Sequence, residues 1–272
     1  MNSLQIQKRR GRPAKEKTQT LVNFDPTSIK LVRGSELTFD DSLFEPMPVG
    51  LHMDSILSTD GGLMPATSIV MVGGPGSGKS TLVLDMLAKL TRAGKKCLFI
   101  SGEMDEIGHY KYCKRIPHFA VVQTLFLKNY SNTIRETLEH VFKEGFDVVA
   151  VDSIAEVIDM YKDTYRTTES AAEGWFLNLQ TMHKKGNNDA RKYTAFINIQ
   201  QVTKAGTFAG SNRLKHMTDA MCHITVTKGS DRRKVAFSKN RDCDISNHIE
   251  YRIGLHQLEF FFPEVSADED EE

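Results

Sequence analysis

Apolar residues along the chain fall into two kinds of run. Residues 95–100 (K-K-C-L-F-I), 120–127, 146–153 (F-D-V-V-A-V-D-S) and 193–199 (Y-T-A-F-I-N-I) are short and close to continuously apolar, the pattern of parallel strands covered on both faces. A fifth run of this kind, Ile69, Val70, Met71 and Val72, ends in glycines. Between the runs, apolar residues recur at spacings of three and four. Leu82, Val83, Met86, Leu87 and Leu90 form one such face, and Ile134, Leu138, Val141 and Phe142 form another behind a capping Ser131. A polar stretch, 161–170, precedes a helix over about 171–185 that carries the only tryptophan, Trp175, read as a packing residue. A short helix over 213–221 follows. The chain then closes with strands at 223–227, 233–238, 249–253 and 258–262, the first two joined by a turn at Gly229, Ser230 and Asp231. Strands alternating with helices predict an α/β fold with a mainly parallel central sheet, helices on both faces and C-terminal antiparallel strands. Ligand residues are expected at the C-terminal ends of the parallel strands.

Composition sharpens this picture at the ends. The 272 residues carry 35 basic and 35 acidic side chains, but Lys8, Arg9, Arg10, Arg12, Lys15 and Lys17 crowd the start while Glu264 and residues 268–272 crowd the end. The expected organisation is a basic disordered arm (1–20), a linker or subunit-packing segment without clear period (21–48), a core (49–263) and an acidic tail (264–272). The four cysteines lack C-x-x-C spacing, so neither a zinc site nor a disulfide framework is indicated, and a reducing compartment, cytoplasmic or nucleoid-associated, fits best. No apolar run approaches the ~20 residues of a membrane span, and no apolar segment follows the basic start as in a secretory signal.

The candidate chemistry begins at residues 73–81. Gly73, Gly74, Pro75, Gly76, Ser77, Gly78, Lys79, Ser80 and Thr81 satisfy G-x-x-x-x-G-K-[ST] between a strand and an amphipathic helix. Backbone N–H groups can surround a phosphate chain only where side chains leave room, and the helix adds the positive end of its dipole. A nucleoside triphosphate with Mg²⁺ is therefore expected, and the resemblance given below implies ATP. Lys79 would reach the β and γ phosphates and Ser80 would offer its hydroxyl to the metal. Asp152 ends the 146–153 strand, where an acid that holds the metal through water or through Ser80 should stand, although an acid ending an apolar strand is also compatible with an ordinary helix cap. Glu103 ends a neighbouring strand, where a carboxylate can orient and deprotonate water, although spacing alone leaves an exposed turn acid equally open.

In the arm, Arg10-Gly11-Arg12-Pro13 looks like the core of an AT-hook, which lies in the narrow minor groove of A·T-rich duplex DNA. General nucleic-acid affinity and a solvated basic tail are the alternatives. Loop residues Lys204, Gly206, Phe208, Gly210 and Arg213 combine mobile glycines, cations for phosphate and an aromatic ring for stacking, the elements of a single-stranded DNA contact, although a plain flexible loop would look similar. Lys162, Tyr165 and Arg166 are candidates in the earlier polar stretch.

Six blocks occur in the order seen in the RecA-like ATPase core of the bacterial RadA (Sms) recombination proteins. They are residues 73–81, Ser101-Gly102-Glu103, Val151-Asp152-Ser153-Ile154, Gln201-Val202-Thr203-Lys204-Ala205-Gly206, Leu214-Lys215-His216-Met217-Thr218-Asp219 and Lys239-Asn240-Arg241. The chain thus resembles this family over roughly 49–262, with replicative helicases of the DnaB type and RecA as further relatives. The resemblance implies a RecA-like P-loop fold and a DNA-dependent ATPase of recombination, repair or replication that forms homo-oligomeric rings or filaments, with nucleotide between subunits. It also implies Glu103 as the water-activating base and Gln201 as the sensor of the γ-phosphate. Lys239 and Arg241 resemble the pair that reaches a neighbouring subunit's γ-phosphate. The family's four-cysteine zinc element, its protease-like end and its K-N-R-F-G ending are not matched, and Gln201 stands where RadA proteins usually have His. These departures leave open a stripped-down phage-type recombinase, an ATP-gated annealing protein or a KaiC-like signalling ATPase.

Overall fold

The computed structural model describes residues 27, 29–202 and 211–261. Arg10, Arg12, Lys204, Phe208 and the acidic end lie outside the described residues. The chain divides into two units, Met1–Phe39 and Asp40–Glu272. In the first, a 3₁₀ turn Gly34–Glu36 is closed by Arg33 N–H on the Glu36 carboxylate, and Ile29, Leu31, Val32, Leu37 and Phe39 are exposed.

The second unit is built on a nine-stranded sheet in the order β3-β2-β4-β5-β1-β6-β7-β8-β9. The strands are β1 Ser68–Gly73, β2 Cys97–Ser101, β3 Gln123–Phe126, β4 Val148–Asp152, β5 Ala195–Gln201, β6 Ala220–Val226, β7 Arg232–Lys239, β8 His248–Ile253 and β9 Leu258–Phe261. The first six in sequence are mutually parallel, and β7, β8 and β9 run antiparallel. This is the predicted α/β arrangement.

Because successive residues of a strand face opposite sides, each parallel strand feeds two cores. Ile69, Met71, Phe99, Ala150 and Ile197 pack with α1 (Leu51–Leu57) and α2 (Lys79–Arg92). Val70, Val72, Ile100, Val151 and Phe196 pack with α4 (Ile134–Lys143), α5 (Ile154–Tyr165) and α6 (Glu169–Lys184). The remaining helices are α3 (Glu106–Arg115) and α7 (Asn212–Met217). Among the described residues, no helix is long and apolar enough to cross a membrane.

Several elements differ from the sequence expectation. The 161–170 stretch is not a loop up to its end. Tyr161 to Tyr165 complete α5, and Arg166, at φ +49°, ends it. Ser131 lies inside a 3₁₀ segment, Leu127–Thr133, and Thr133 rather than Ser131 precedes α4. The expected 120–127 strand shortens to Gln123–Phe126, because a 3₁₀ turn Pro117–Val121 occupies its start and buries Phe119. The short helix predicted to reach residue 221 stops at Met217, since Thr218 Oγ1 donates to Ser68 O and β6 begins at Ala220. Helices α1 and α3 had no sequence counterpart.

Candidate nucleotide site

β1 carries the chain to the upper edge of the sheet, and residues 74–78 turn it into α2. Two glycines of the turn hold left-handed backbone, Gly76 at φ +71° and Gly78 at φ +95°. A Cβ on Gly78 would stand 2.7 Å from Tyr251 Oη, so this position is closed to other residues by space as well as by φ. The buried Tyr251 hydroxyl donates to the carbonyls of Gly78 and Ser77 at 3.2 and 3.4 Å, bracing the turn from β8. Lys79 is buried, and its Nζ donates to Gly73 O and Gly74 O at 2.8 and 2.9 Å. Burial lowers its pKa, while Asp152 and Glu103 pull the other way.

Sheet order delivers the acids. β4 and β5 lie between β2 and β1, so the ends of four adjacent parallel strands place Glu103, Asp152, Gln201 and residues 73–81 along one edge. Ser80 Oγ donates to Asp152 Oδ2 at 2.5 Å. Asp152 is buried, and burial pushes its carboxyl up to about 6. The Ser80 bond works against that shift, Glu103 adds to it and Lys79 opposes it. A buried carboxylate short of compensating positive charge beside a serine hydroxyl is a hard-oxygen donor pair that suits Mg²⁺. Asp152 O also accepts the N–H of Gly102 at 2.7 Å and of Glu103 at 3.3 Å, fastening the end of β2 to β4. The Glu103 carboxylate, exposed, accepts Gln201 Nε2 at 3.1 Å.

These groups line a cavity of about 400 Å³ together with Tyr112, Arg115, Arg233 and Ile253, none of which the sequence reading found. Tyr112 and Arg115 stand on α3, which has no fully buried residue and hence no clear apolar stripe. Arg233 reaches the turn only because β7 pairs with β6 so that Arg233 lies opposite Val226, beyond the end of β1. Its Nη1 donates to Asp231 O at 2.6 Å, while its buried Nε has no hydrogen-bond partner among the described residues. A larger cavity, about 540 Å³, opens at the opposite ends of the strands among Asp40, Glu45, Lys95, Asp147, Arg191 and Tyr193. It contains none of the predicted site residues.

Lys239 and Arg241 are not brought to the phosphate loop of their own chain. Lys239 Nζ donates to the carbonyls of Lys215 and Thr218, and Arg241 pairs with Asp219 at 3.0 Å, beside Ser68 at the start of β1. The six residues of β1 separate them from the glycines by about 17 Å at ~3.3 Å per residue. Of the predicted DNA contacts, Arg213 is described: it is exposed, and its guanidinium lies 2.8 Å from where a Cβ on Gly174 would stand. The adjacent Ser211 Oγ donates to Glu173 Oε1 at 2.5 Å. Of the candidates in the earlier stretch, Lys162 pairs with Asp159 at 2.5 Å and Tyr165 donates to Glu136 at 2.6 Å in solvent-facing contacts of α5, and Arg166 is exposed at its end. Beside them Tyr161 stacks on Trp175 at 4.1 Å.

Comparison with known proteins gives a consistent picture. A family model described as Zeta toxin matches residues 61–185, a span that holds the phosphate loop and Asp152 but less than half of the chain. DNA repair protein RadA of Campylobacter jejuni is 28% identical over 196 residues, 70% of this chain and 40% of the relative. RadA of Mycobacterium tuberculosis is 29% identical over 200 residues, 72% of this chain and 39% of the relative. The chain therefore spans about 40% of the length of these curated relatives. Among solved structures, the RadB recombinase superposes with a TM-score of 0.57 at 17% identity, covering 76% of this chain and 95% of that one. A KaiC-like protein from Pyrococcus horikoshii superposes with 0.55 at 14% identity, covering 79% and 100%. The chain has the RecA-like P-loop fold and is a sequence relative of the DNA repair protein RadA.

Proposed function

We propose that the protein is a DNA-dependent ATPase of the RadA type, acting in recombination, repair or replication as a homo-oligomer. The observation that carries this reading is the row Gln201–Glu103–Asp152–Ser80 at the mouth of the phosphate-loop turn, linked by hydrogen bonds of 3.1 Å at one end and 2.5 Å at the other. The backbone N–H groups of Gly74 and residues 76–80, at the start of α2, would hold the ATP phosphates. Lys79 would exchange its two loop carbonyls for phosphate oxygens. Ser80 and Asp152 would hold Mg²⁺, which when bound offsets charge on the β and γ phosphate oxygens. Glu103 would take the proton of the attacking water. Gln201, hydrogen-bonded to that carboxylate and standing just before the 203–210 segment, would report the state of the γ-phosphate to it. Lys204, Phe208 and Arg213 would contact single-stranded DNA, and Arg10 and Arg12 duplex DNA. Lys239 and Arg241 would act on the nucleotide of an adjacent subunit.

Steady-state ATPase with and without single-stranded DNA tests the reading. DNA should raise turnover, Lys79→Ala should lose nucleotide binding, and Glu103→Gln should bind ATP but hydrolyse it at least ~100-fold more slowly. A DNA-independent rate would remove the DNA-stimulated part of the proposal. Parental hydrolysis by Glu103→Gln would remove the base assignment.

A further inference from the structure

The Glu103 carboxylate stands at the start of a short exposed connection between β2 and α3, yet a general base must be held within a fraction of an ångström of its working position. Two residues that none of the six sequence blocks contains grip that connection from outside. Lys128 Nζ donates to Glu103 O at 2.8 Å, and Asn129 Nδ2 donates to Glu106 Oε1 at 2.6 Å. On the other side, Glu103 N–H donates to Asp152 O. The peptide planes before and after Glu103 Cα are therefore both oriented, one by the end of β4 and one by Lys128. Fixing both planes fixes the direction of the Cα–Cβ bond, and with it the sector the carboxylate can sweep. Within the connection, Ser101 Oγ donates to Met104 O at 2.7 Å and accepts Met104 N–H at 3.1 Å, which rounds the turn but does not reach Glu103.

The support behind Lys128 is firm. Lys128 and Asn129 belong to the 3₁₀ segment Leu127–Thr133, which is nailed down by the fully buried Leu127 and by Thr164 Oγ1 donating to Ser131 O at 2.7 Å. Lys128 is exposed, forms no ion pair among the described residues, and does not line the nucleotide cavity. An exposed ammonium spent on a single backbone carbonyl contributes little to stability, so its value lies in what it orients.

We infer that Lys128, assisted by Asn129, is a positioning residue for hydrolysis, acting through the Glu103 main chain. The inference rests on the proposed role of Glu103 as base. In the full-length chain, Lys128→Ala should lower kcat for ATP roughly 10- to 100-fold, the range expected for a misplaced base, with KM within about twofold and an unchanged melting temperature. Lys128→Arg, whose guanidinium can still reach the carbonyl, should recover most of the rate. In a Glu103→Gln background, Lys128→Ala should cost nothing further, because the two act as one unit. Parental kcat in Lys128→Ala beside a slow Glu103→Gln would overturn the positioning role alone, whereas a parental Glu103→Gln would overturn the base assignment beneath it. Loss of ATP binding in Lys128→Ala, or an additive loss in the double variant, would show that Lys128 meets the nucleotide directly or acts elsewhere, and would also overturn the inference.

Discussion

Gly78 shows how much a single position carries. Its left-handed backbone, the Tyr251 hydroxyl against it and the start of α2 behind it are three constraints on one residue, and glycine is the residue that meets all three. Titratable residues carry a different kind of constraint. His183 is buried on α6 with its Nδ1 unpartnered among the described residues and its ring edge-on to Phe142 at 5.4 Å, and burial holds its pKa below the ordinary 6.5. His109, also lowered by burial, and His223, lowered by burial and then by Lys215, lie in the same direction. In the unfolded chain these rings take up protons near pH 6.5, whereas folded they resist until lower pH. The unfolded state therefore binds more protons below 6.5, so stability is level above that pH and falls as pH drops through it toward the folded values. Asp152, pushed up to about 6, works in the opposite direction over the same window, so the comparison between variants carries the test: between pH 7.5 and 5.5 the urea midpoint of His183→Gln should lose less than that of the parent. An equal loss in the variant would remove His183 from the account.

At the scale of elements, legibility followed periodicity. β1, β2, β4 and β5 were readable because both faces are buried, which forces near-continuous apolar runs, and α2 and α4 because each carries a strong apolar face. The elements that were missed lack that signal. α3 has Gly108 in its first turn and mixes exposed and half-buried residues, while the end of α5 hides its apolar contacts in aromatic pairs, Tyr161 with Trp175 and Tyr165 with Tyr161. For the same reason the motif residues of the site were found in sequence, whereas Tyr112, Arg115, Arg233 and Lys128 depended on pairings that no local spacing encodes. One interior contact also escaped the pattern. Asn198 interrupts the apolar run of β5 at a fully buried position, and it exchanges two hydrogen bonds with Gln180 of α6, at 2.8 and 3.0 Å. Gln180→Leu should leave the Asn198 amide unsatisfied and cost about 1–3 kcal/mol in a denaturation experiment, whereas pairing it with Asn198→Leu should recover much of that loss. Equal losses in the single and double variants would mean that packing, not the amide pair, sets the cost.

For the whole molecule, the separation between the two halves of the proposed chemistry is the decisive feature. The phosphate-loop turn, Asp152 and Glu103 lie at the C-terminal ends of the parallel strands, and Lys239 and Arg241 lie at the other end, beside Asp219 and Ser68. One chain cannot apply both to one nucleotide, but a head-to-tail array, in which each subunit offers a different surface to the next, can. Arg241→Ala should leave the fold intact, because Asp219 keeps Lys184 and the Ser68 N–H. It should bind ATP with near-parental affinity and lose hydrolysis, while Lys79→Ala should lose both. Mixed in equal amounts, the two inactive variants should regain activity, since a subunit carrying Lys79 can sit beside one carrying Arg241. With random order about a quarter of the interfaces are whole, which sets recovery at up to roughly a quarter of the parental rate. Mixed assembly is verified by co-purification of differently tagged variants. No recovery in a verified mixture would place the action of Arg241 within its own chain or outside catalysis, whereas recovery that scales with the fraction of whole interfaces would fix the direction in which subunits share their sites.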